Sequence, residues 1–379
     1  MKSIAERFLD KLDDLPKNAR ICLYGAGLAG GNVKRLIDTS RRDVKVVYFV
    51  DDYKKGERDG IPIVHPRELN VLNSTFDITL VVSAYWKNII KTLKSLNIKN
   101  YKVVNPYLCF DFQIFTEEEE KRYEDNFKKA RNLLQHEHDR RLYDLLIENR
   151  KIKPEEVDDP DEYFARNLKR PVHEYLDFVN KDTIHTMIEG GVFDGASTVE
   201  FLRVLPKISS VYGFEPLYGS YLEGEHRIYL EGLTNVKIYP LALWEKKTTL
   251  TFFEDVEDMA GSKIIGDVSA IENRTNIKRV EAISVDEFVE TNKIGKVDFI
   301  KLDVEGSEMD ILRGSKKTLV SHRPQMAICI YHKKEHIFEV PLFLRDILSD
   351  YTHRLGHYSS SFWGTIWYAI PNEVYKKKV

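Results

Sequence analysis

The chain has 379 residues, room for two or three domains at roughly 150 residues each. Apolar residues make up 42% of it, enough to build cores, and a formal net charge of −3 supplies no basic field, which argues against nonspecific nucleic-acid binding as the main function. The three cysteines (Cys22, Cys109, Cys329) are far apart with no Cys-x-x-Cys, so neither a zinc site nor a disulfide framework is suggested; the charged first residues lack an apolar h-region and no run reaches about 18 apolar residues, so a cytoplasmic protein without a membrane span is expected.

In chain order, residues 18–107 read as a small α/β domain. Arg20–Tyr24 is a predicted strand, followed by Gly25-Ala-Gly27-Leu-Ala-Gly30 and a helix through Leu36. Val44–Val50 is the next strand and ends on Asp51 and Asp52; Phe76–Ser83 is a third and Tyr101–Val104 a fourth, with a helix from Trp86 to Leu96 between these last two. Strands alternating with helices imply a parallel sheet. Gly25, Gly27 and Gly30 with Asp51, 21 residues after Gly30, meet the spacing of a nucleotide-binding turn. Tyr24 stands before the glycines in place of an acid, so a phosphate is admissible there, and the helix N-terminus could take an anion. The other reading is a Rossmann-like accessory domain with an empty cleft.

Residues 115–150 differ in character. Thr116 and Glu119 have the spacing of a capping box, and Phe127, Ala130, Leu133 and Leu134 recur at helical spacing within a run dense in both charges. One or two amphipathic helices bridging domains are expected here. Lys153–Pro160 is a polar break, and residues 161–182 should be helical and cover the next sheet. The predicted division is a Rossmann-like domain over residues 1–110, a helical linker over 111–160 and a larger α/β domain over 161–379.

Residues 184–215 carry the most information. A buried strand at Ile184–Ile188 runs into Glu189-Gly-Gly191-Val-Phe-Asp194-Gly195-Ala-Ser-Thr198, then into a helix starting near Val199; a second strand, Val211–Phe214, ends on Glu215, 26 residues after Glu189. Strand, glycine turn, helix, strand and terminal acid make a nucleoside-binding βαβ unit. The glycines let the backbone approach a ligand, and Glu215 can accept both ribose hydroxyls. Glu189 beside the turn and Asp194 within it would repel a pyrophosphate and welcome a cation, which favours S-adenosylmethionine, with its ammonium and sulfonium, over a dinucleotide. The bland alternative is a strand–helix turn without a ligand. Further strands are predicted at Val236–Tyr239, Thr248–Phe253, Val297–Leu302, Met326–Tyr331 and Gly364–Ile370, the last two able to pair as an antiparallel edge.

The order Glu189-x-Gly191-x3-Gly195-x2-Thr198, Gly213-Phe-Glu-Pro216, Phe299-Ile-Lys-Leu-Asp-Val-Glu-Gly-Ser-Glu308, Gly314, Arg323-Pro324, Tyr331-His332 and His357-Tyr-Ser359 resembles the FkbM-family methyltransferases over roughly residues 160–371. Glu189 stands where that family more often has Asp, and Phe193 where it often has Asn. The resemblance implies a class I S-adenosylmethionine fold and O-methylation of a hydroxyl, often on a sugar or natural product. Two Rossmann-like α/β domains joined by charged helices are therefore expected. Glu189, Gly191, Asp194, Gly195, Thr198 and Glu215 are the expected cofactor contacts.

Asp303 falls beyond the carboxyl end of its predicted strand, where ligands of open α/β sheets sit, and shares a face with Lys301 by period two. It could orient or deprotonate the acceptor, or hold a divalent metal with Glu305. Ser307 and Asp310 also have capping-box spacing, so part of this cluster could simply start a helix ended by Gly314. His332 follows another strand at the same edge and is the candidate base, with His357, in the polar stretch His353–Ser361, a second candidate from a possible acceptor-binding loop. The expected acceptor is a small molecule or glycan, possibly a nucleotide sugar. The rivals are a nicotinamide-dependent sugar-nucleotide oxidoreductase using the first glycine turn, which lacks a recognisable Tyr-x3-Lys pair, and a non-catalytic nucleotide-sugar-binding module. Oligomeric state is not legible.

Overall fold

The computed structural model describes residues 7–83, 85–105, 108–109, 113–151, 160–168, 173–253, 263–264, 277–359 and 362–375. The predicted polar break at Lys153–Pro160 lies almost wholly outside them. The chain forms two compact units, one from the described residues of Met1–Lys121, Glu148–Val157 and Ser360–Phe362, the other from those of Arg122–Ile147, Asp158–Ser359 and Trp363–Val379.

In the first unit, apolar strand segments build one seven-stranded sheet from β1 (Phe8–Leu9), β2 (Arg20–Tyr24), β3 (Lys45–Val50), β4 (Gly56–Arg58), β5 (Ile61–Val64), β6 (Ile78–Val81) and β7 (Tyr101–Val104). The order is β1-β7-β6-β2-β3-β5-β4, parallel except for the β4–β5 hairpin. The hairpin was not anticipated; Asp59 (φ 51°) and Gly60 (φ 70°) turn it, a two-residue turn with both central residues left-handed. Helices Leu28–Ser40 and Trp86–Ser95 follow β2 and β6 as expected. Cys22, Leu23, Phe49, Leu80 and Leu93 are wholly buried.

The second unit contains β8 (Thr186–Gly190), β9 (Ser210–Phe214), β10 (Val236–Tyr239), β11 (Ala242–Leu243), β12 (Thr248–Phe253), β13 (Lys263–Ile264), β14 (Ile277–Ile283), β15 (Phe299–Leu302), β16 (Gln325–Cys329), β17 (Tyr351–His357) and β18 (Thr365–Pro371). Its main sheet has the order β10-β9-β8-β15-β16-β18-β17. The first five strands are parallel, and β18 runs antiparallel to both neighbours, so the expected pairing of β16 with β18 is formed. Thr248–Phe253 forms the predicted strand and lies in a small second sheet, β11-β14-β12-β13, because it pairs with Ile277–Ile283. Two expectations are corrected. The first five residues of the stretch His353–Ser361, expected as a polar loop, belong instead to the strand Tyr351–His357, whose side chains are almost all buried; the histidines at 353 and 357 are core residues there. Residues 161–182 are helical only at Pro160–Leu168 and in a short 3-10 turn at Lys181–Thr183, with 169–172 outside the described residues.

The two amphipathic helices predicted after residue 115 are Glu117–Leu133 and Glu137–Glu148. The capping box forms as predicted: Thr116 N–H donates to Glu119 Oε2 at 2.9 Å and Glu119 N–H to Thr116 Oγ1 at 3.2 Å. Tyr123 and Phe127 pack on Phe338, and Asp139 takes two bonds from Arg354, all within the second unit.

Candidate active site

The strand order turns back on itself between β8 and β15, since β8 leads outward to β9 and β10 on one side while β15 leads to β16 on the other. The crevice at the carboxyl ends of such strands is where open α/β sheets hold ligands. The predicted residues of the second unit other than His357 converge there. Gly191 (φ 77°) turns the chain out of β8 so closely that a Cβ on it would stand 1.8 Å from the carbonyl oxygen of Asp303. Gly195 (φ 79°) is the N-cap of the helix Ala196–Val204. Between them Phe193 (φ 53°) is half exposed and strained for a bulky residue.

Glu215 follows β9, and its carboxylate reaches back to this turn. Oε2 accepts the Phe193 N–H at 2.9 Å and Oε1 the Leu217 N–H at 3.0 Å. Burial raises its pKa above the ordinary glutamate value against the pull of those two N–H groups. Glu189 lies beneath the turn with no exposure. It accepts the Ser197 hydroxyl at 2.8 Å and the Thr198 hydroxyl at 2.7 Å, and the Lys301 ammonium stands 3.6 Å away. Lys301 also donates to the Gly191 carbonyl at 2.6 Å. Burial disfavours the ammonium, but Glu189 and Asp303 outweigh it and hold Lys301 protonated. Asp194 is clamped by Arg227 at 2.6 Å and caps Ala196 N–H. The charge that the sequence assigned to the turn is thus real, but it is partly neutralised by a lysine and an arginine from elsewhere in the unit.

Beyond β15, Asp303 Oδ2 accepts the Tyr175 hydroxyl at 2.7 Å and Oδ1 the Tyr331 hydroxyl at 3.0 Å. His332 Nε2 lies 3.4 Å from Asp303 Oδ1 and 3.5 Å from Glu305 Oε2, while its Nδ1 lies 2.6 Å from Glu308 Oε1. Glu308 Oε2 in turn faces His336 Nδ1 at 3.1 Å. Burial opposes the imidazolium of His332, but Glu308 and Glu305 outweigh it and raise its pKa well above the ordinary histidine value. Burial opposes the Asp303 carboxylate too; Lys301 and His332 nonetheless keep it ionised. The Ser307–Asp310 capping box does not form: Ser307 makes no side-chain cap, Asp310 bonds Arg313, and it is Glu308 that accepts the Val304 N–H.

Asp303 and His332 are therefore brought together, and Glu305 (φ 51°) joins them from a strained turn. His357 ends β17 at the same edge of the sheet, but three strands from β15, about 14 Å at the usual strand spacing. It is buried, with Nδ1 2.9 Å from Thr365 Oγ1. Two neighbours were not singled out from sequence. Tyr175 (φ 66°) sits more than a hundred residues before Asp303 with no local motif, and the Lys301 ammonium lies 5.1 Å from its ring centre. Glu174 beside it is exposed at the edge of the site, yet surrounding protein and then Asp303 lift its carboxyl to about 7.

In the first unit, Asp51 Oδ2 accepts the Ala26 N–H at 3.0 Å and Oδ1 the N–H groups of Tyr53 and Lys54, both at 3.0 Å. Gly25 (φ 124°) and Gly30 are packed against backbone, whereas a Cβ on Gly27 would meet open space. Arg58 Nη1 donates to the Ala26 carbonyl at 2.8 Å.

Comparison with known proteins agrees with this geometry. Residues 189–355 match the family described as the methyltransferase FkbM domain, and residues 17–104 match the C2185-like N-terminal family. A methyltransferase FkbM structure from Methylobacillus flagellatus KT superposes with a TM-score of 0.66 at 18% identity, covering 93% of this chain and 90% of that one. An rRNA methylase structure from Streptococcus thermophilus matches at a TM-score of 0.29 and 15% identity, over 50% of this chain and 86% of its own. No curated protein matches. The second unit is a class I methyltransferase fold. Residues 189–355 carry a methyltransferase FkbM domain, which makes the chain an S-adenosylmethionine-dependent methyltransferase, and its first unit holds a Rossmann-like parallel sheet. Among the described residues no helix is long and apolar enough to cross a membrane.

Proposed function

We propose that the chain moves the methyl group of S-adenosylmethionine to a hydroxyl of a sugar or glycan. The observation that carries the cofactor half is Glu215. Each of its oxygens already accepts one backbone N–H, which aims the carboxylate and leaves one lone-pair site on each oxygen for the two ribose hydroxyls. Gly191 and Gly195 admit the methionine end, with Glu189 and Thr198 fixing the turn from below and Asp194 fixing the start of the helix. The acceptor half rests on the resemblance and on a site rich in carboxylates and phenols, which suits a polyol.

In the transfer, a lone pair on the acceptor oxygen attacks the methyl carbon, the O–C bond forms as the S–C bond breaks, the sulfonium becomes a neutral thioether, and the hydroxyl proton leaves. Asp303, an ionised carboxylate beside the imidazolium of His332, would orient that hydroxyl and take up its proton, with His332 holding the carboxylate in place and catalysis coming mainly from positioning. His357, three strands away, would meet only the far end of an extended acceptor. The glycine turn with Gly25, Gly27, Gly30 and Asp51 would hold a nucleotide or the nucleotide part of a donor sugar, a reading supported by the open space beside Gly27.

Calorimetry with S-adenosylhomocysteine tests the first half. Binding is expected, and Glu215→Ala should weaken it by about 1–3 kcal/mol, the range for hydrogen bonds to a charged group. Folded protein that ignores the ligand at millimolar concentration would refute the assignment. A panel of nucleotide sugars, glycans and non-sugar alcohols with methyl-labelled cofactor tests the second half; label appearing only on non-sugar alcohols would overturn it.

A further inference from the structure

We propose that Asp303, Glu305 and His332 form a binding site for one divalent cation, with Glu308 holding the histidine in place. One donor atom from each of the three lies within 4.8 Å of the others. The shorter separations, 3.4 Å and 3.5 Å from His332 Nε2 to the two carboxylates, are long for hydrogen bonds. They are comparable to the edges of a coordination shell, since bonds of about 2.1 Å place neighbouring ligand atoms roughly 3.0 Å apart in an octahedron and 3.4 Å apart in a tetrahedron, so small side-chain shifts would draw the three donors onto one ion.

The second argument is the other face of the imidazole. A metal-bound histidine typically gives its remaining ring N–H to a carboxylate, which fixes the ring and the tautomer. Glu308 stands 2.6 Å from Nδ1 of His332, so Nε2 is the nitrogen turned to Asp303 and Glu305. Glu308 is itself fully buried and steadied by His336. Charge points the same way. Three carboxylates lie within 3.5 Å of a single imidazole, and a dication among them balances the excess.

The donor set sets the chemical class. Two carboxylates and one imidazole favour a hard or borderline ion such as Mg²⁺ or Mn²⁺. Three protein ligands leave positions open for water or for oxygens of a diol, and Glu305, at 41% side-chain exposure, stands on the solvent side. What the ion does, holding an acceptor oxygen and favouring its deprotonated form, rests on the methyltransferase reading; the binding site itself does not.

The test uses full-length protein stripped with EDTA and titrated with Mn²⁺ alone, followed by electron paramagnetic resonance and calorimetry. One ion per chain is expected. Asp303→Asn and Glu305→Gln should each weaken binding at least tenfold, and Glu308→Gln about 10–100-fold. Because Glu308 is buried, its variant could fail to fold; Glu305→Gln, on the exposed side, keeps the question decidable, and thermal melting of each variant is read alongside. S-adenosylhomocysteine binding is measured on the same samples. No Mn²⁺ uptake at millimolar concentration, or uptake indifferent to Asp303→Asn and Glu305→Gln, overturns the site whatever the cofactor result. Mn²⁺ uptake with the expected mutational pattern supports the site even where S-adenosylhomocysteine fails to bind, which would count against the methyltransferase reading alone.

Discussion

Replacing Lys301 with methionine isolates what holds the cofactor turn together. The ammonium is 2% exposed, donates to the Gly191 carbonyl at 2.6 Å and lies 3.6 Å from a Glu189 carboxylate with no exposure. Removing one partner of a buried pair typically costs about 3–5 kcal/mol, because the other charge is stranded. One feature pulls the value toward the lower end. Glu189 keeps the hydroxyls of Ser197 and Thr198, and bonds to a charged group are worth about 1.5–3 kcal/mol each. Lys301→Met should therefore lose about 3–4 kcal/mol of stability in urea unfolding at pH 7. The double variant Lys301→Met/Glu189→Gln should recover at least about 1 kcal/mol of that, a departure from additivity expected of residues in contact. A loss below about 1 kcal/mol in the single variant, or strict additivity in the pair, would refute the clamp. The double variant also separates two roles for Glu189. If it stays folded and binds S-adenosylhomocysteine normally, Glu189 acts only beneath the turn; if it folds and loses the ligand, the carboxylate contributes to the cofactor site itself.

Other perturbations give equally definite outcomes. Gly191→Ala puts a Cβ 1.8 Å from a backbone oxygen at a φ of 77°, so a loss above about 2 kcal/mol in chemical denaturation and weakened S-adenosylhomocysteine binding are expected; near-wild-type values for both would show the turn to be slack. Gly27→Glu places a carboxylate in the open space at the first glycine turn and should abolish nucleotide or nucleotide-sugar binding while leaving S-adenosylhomocysteine affinity unchanged, since the two turns belong to separate sheets; equal loss of both ligands would contradict that. His353, buried and accepting the Trp367 indole N–H at 3.0 Å, has its pKa lowered to about 4 by burial. The unfolded chain binds a proton below about 6.5 that the folded chain refuses until about 4, so stability should fall as pH drops through that window, by up to about 3 kcal/mol. His353→Gln should flatten this part of the stability profile, and an unchanged slope would show that other groups account for it.

What was legible in the sequence follows from how local each signal is. The strands β2, β3, β8, β9 and β15 are short apolar runs bounded by glycine or acid, β7 is one bounded by asparagine, and all sit within a few residues of where the pattern puts them. The Thr116–Glu119 capping box is complete within four residues and is found as read. The β4–β5 hairpin had a signal in Asp59-Gly60, but the flanking strands are three and four residues long and only partly buried, too short to show alternation. Thr248–Phe253 was read correctly as a strand, but its assignment to a sheet depends on a partner at 277–283, which no local pattern reveals. At the site, Asp303 and His332 announced themselves by ending strands. Tyr175 did not, and the partners of Lys301 and Glu308, both visible in the run 299–308, did not either, because these contacts span 128, 110 and 24 residues of chain. The meaning of Glu189 changed for the same reason: its charge is visible in the sequence, whereas the lysine that answers it comes from β15.

The two glycine turns look alike in sequence, yet their acids are not equivalent, and the difference says which one can grip a ribose. A carboxylate has about four lone-pair sites, two on each oxygen, and bidentate capture of a diol needs one free site on both oxygens. Glu215 accepts one N–H on Oε2 and one on Oε1, so both oxygens retain a site. Asp51 accepts two N–H groups on Oδ1 and one on Oδ2, so only Oδ2 retains one. Asp51 is committed to shaping its own turn and can take at most a single hydroxyl. Under the proposed reading, a ligand of the first unit would have to be held by a phosphate at the open helix start beside Gly27, whereas Glu215 retains the two sites that a ribose diol needs. The same strand-turn-helix-strand unit would then serve two different recognition problems, distinguished by how many backbone donors each acid has already accepted.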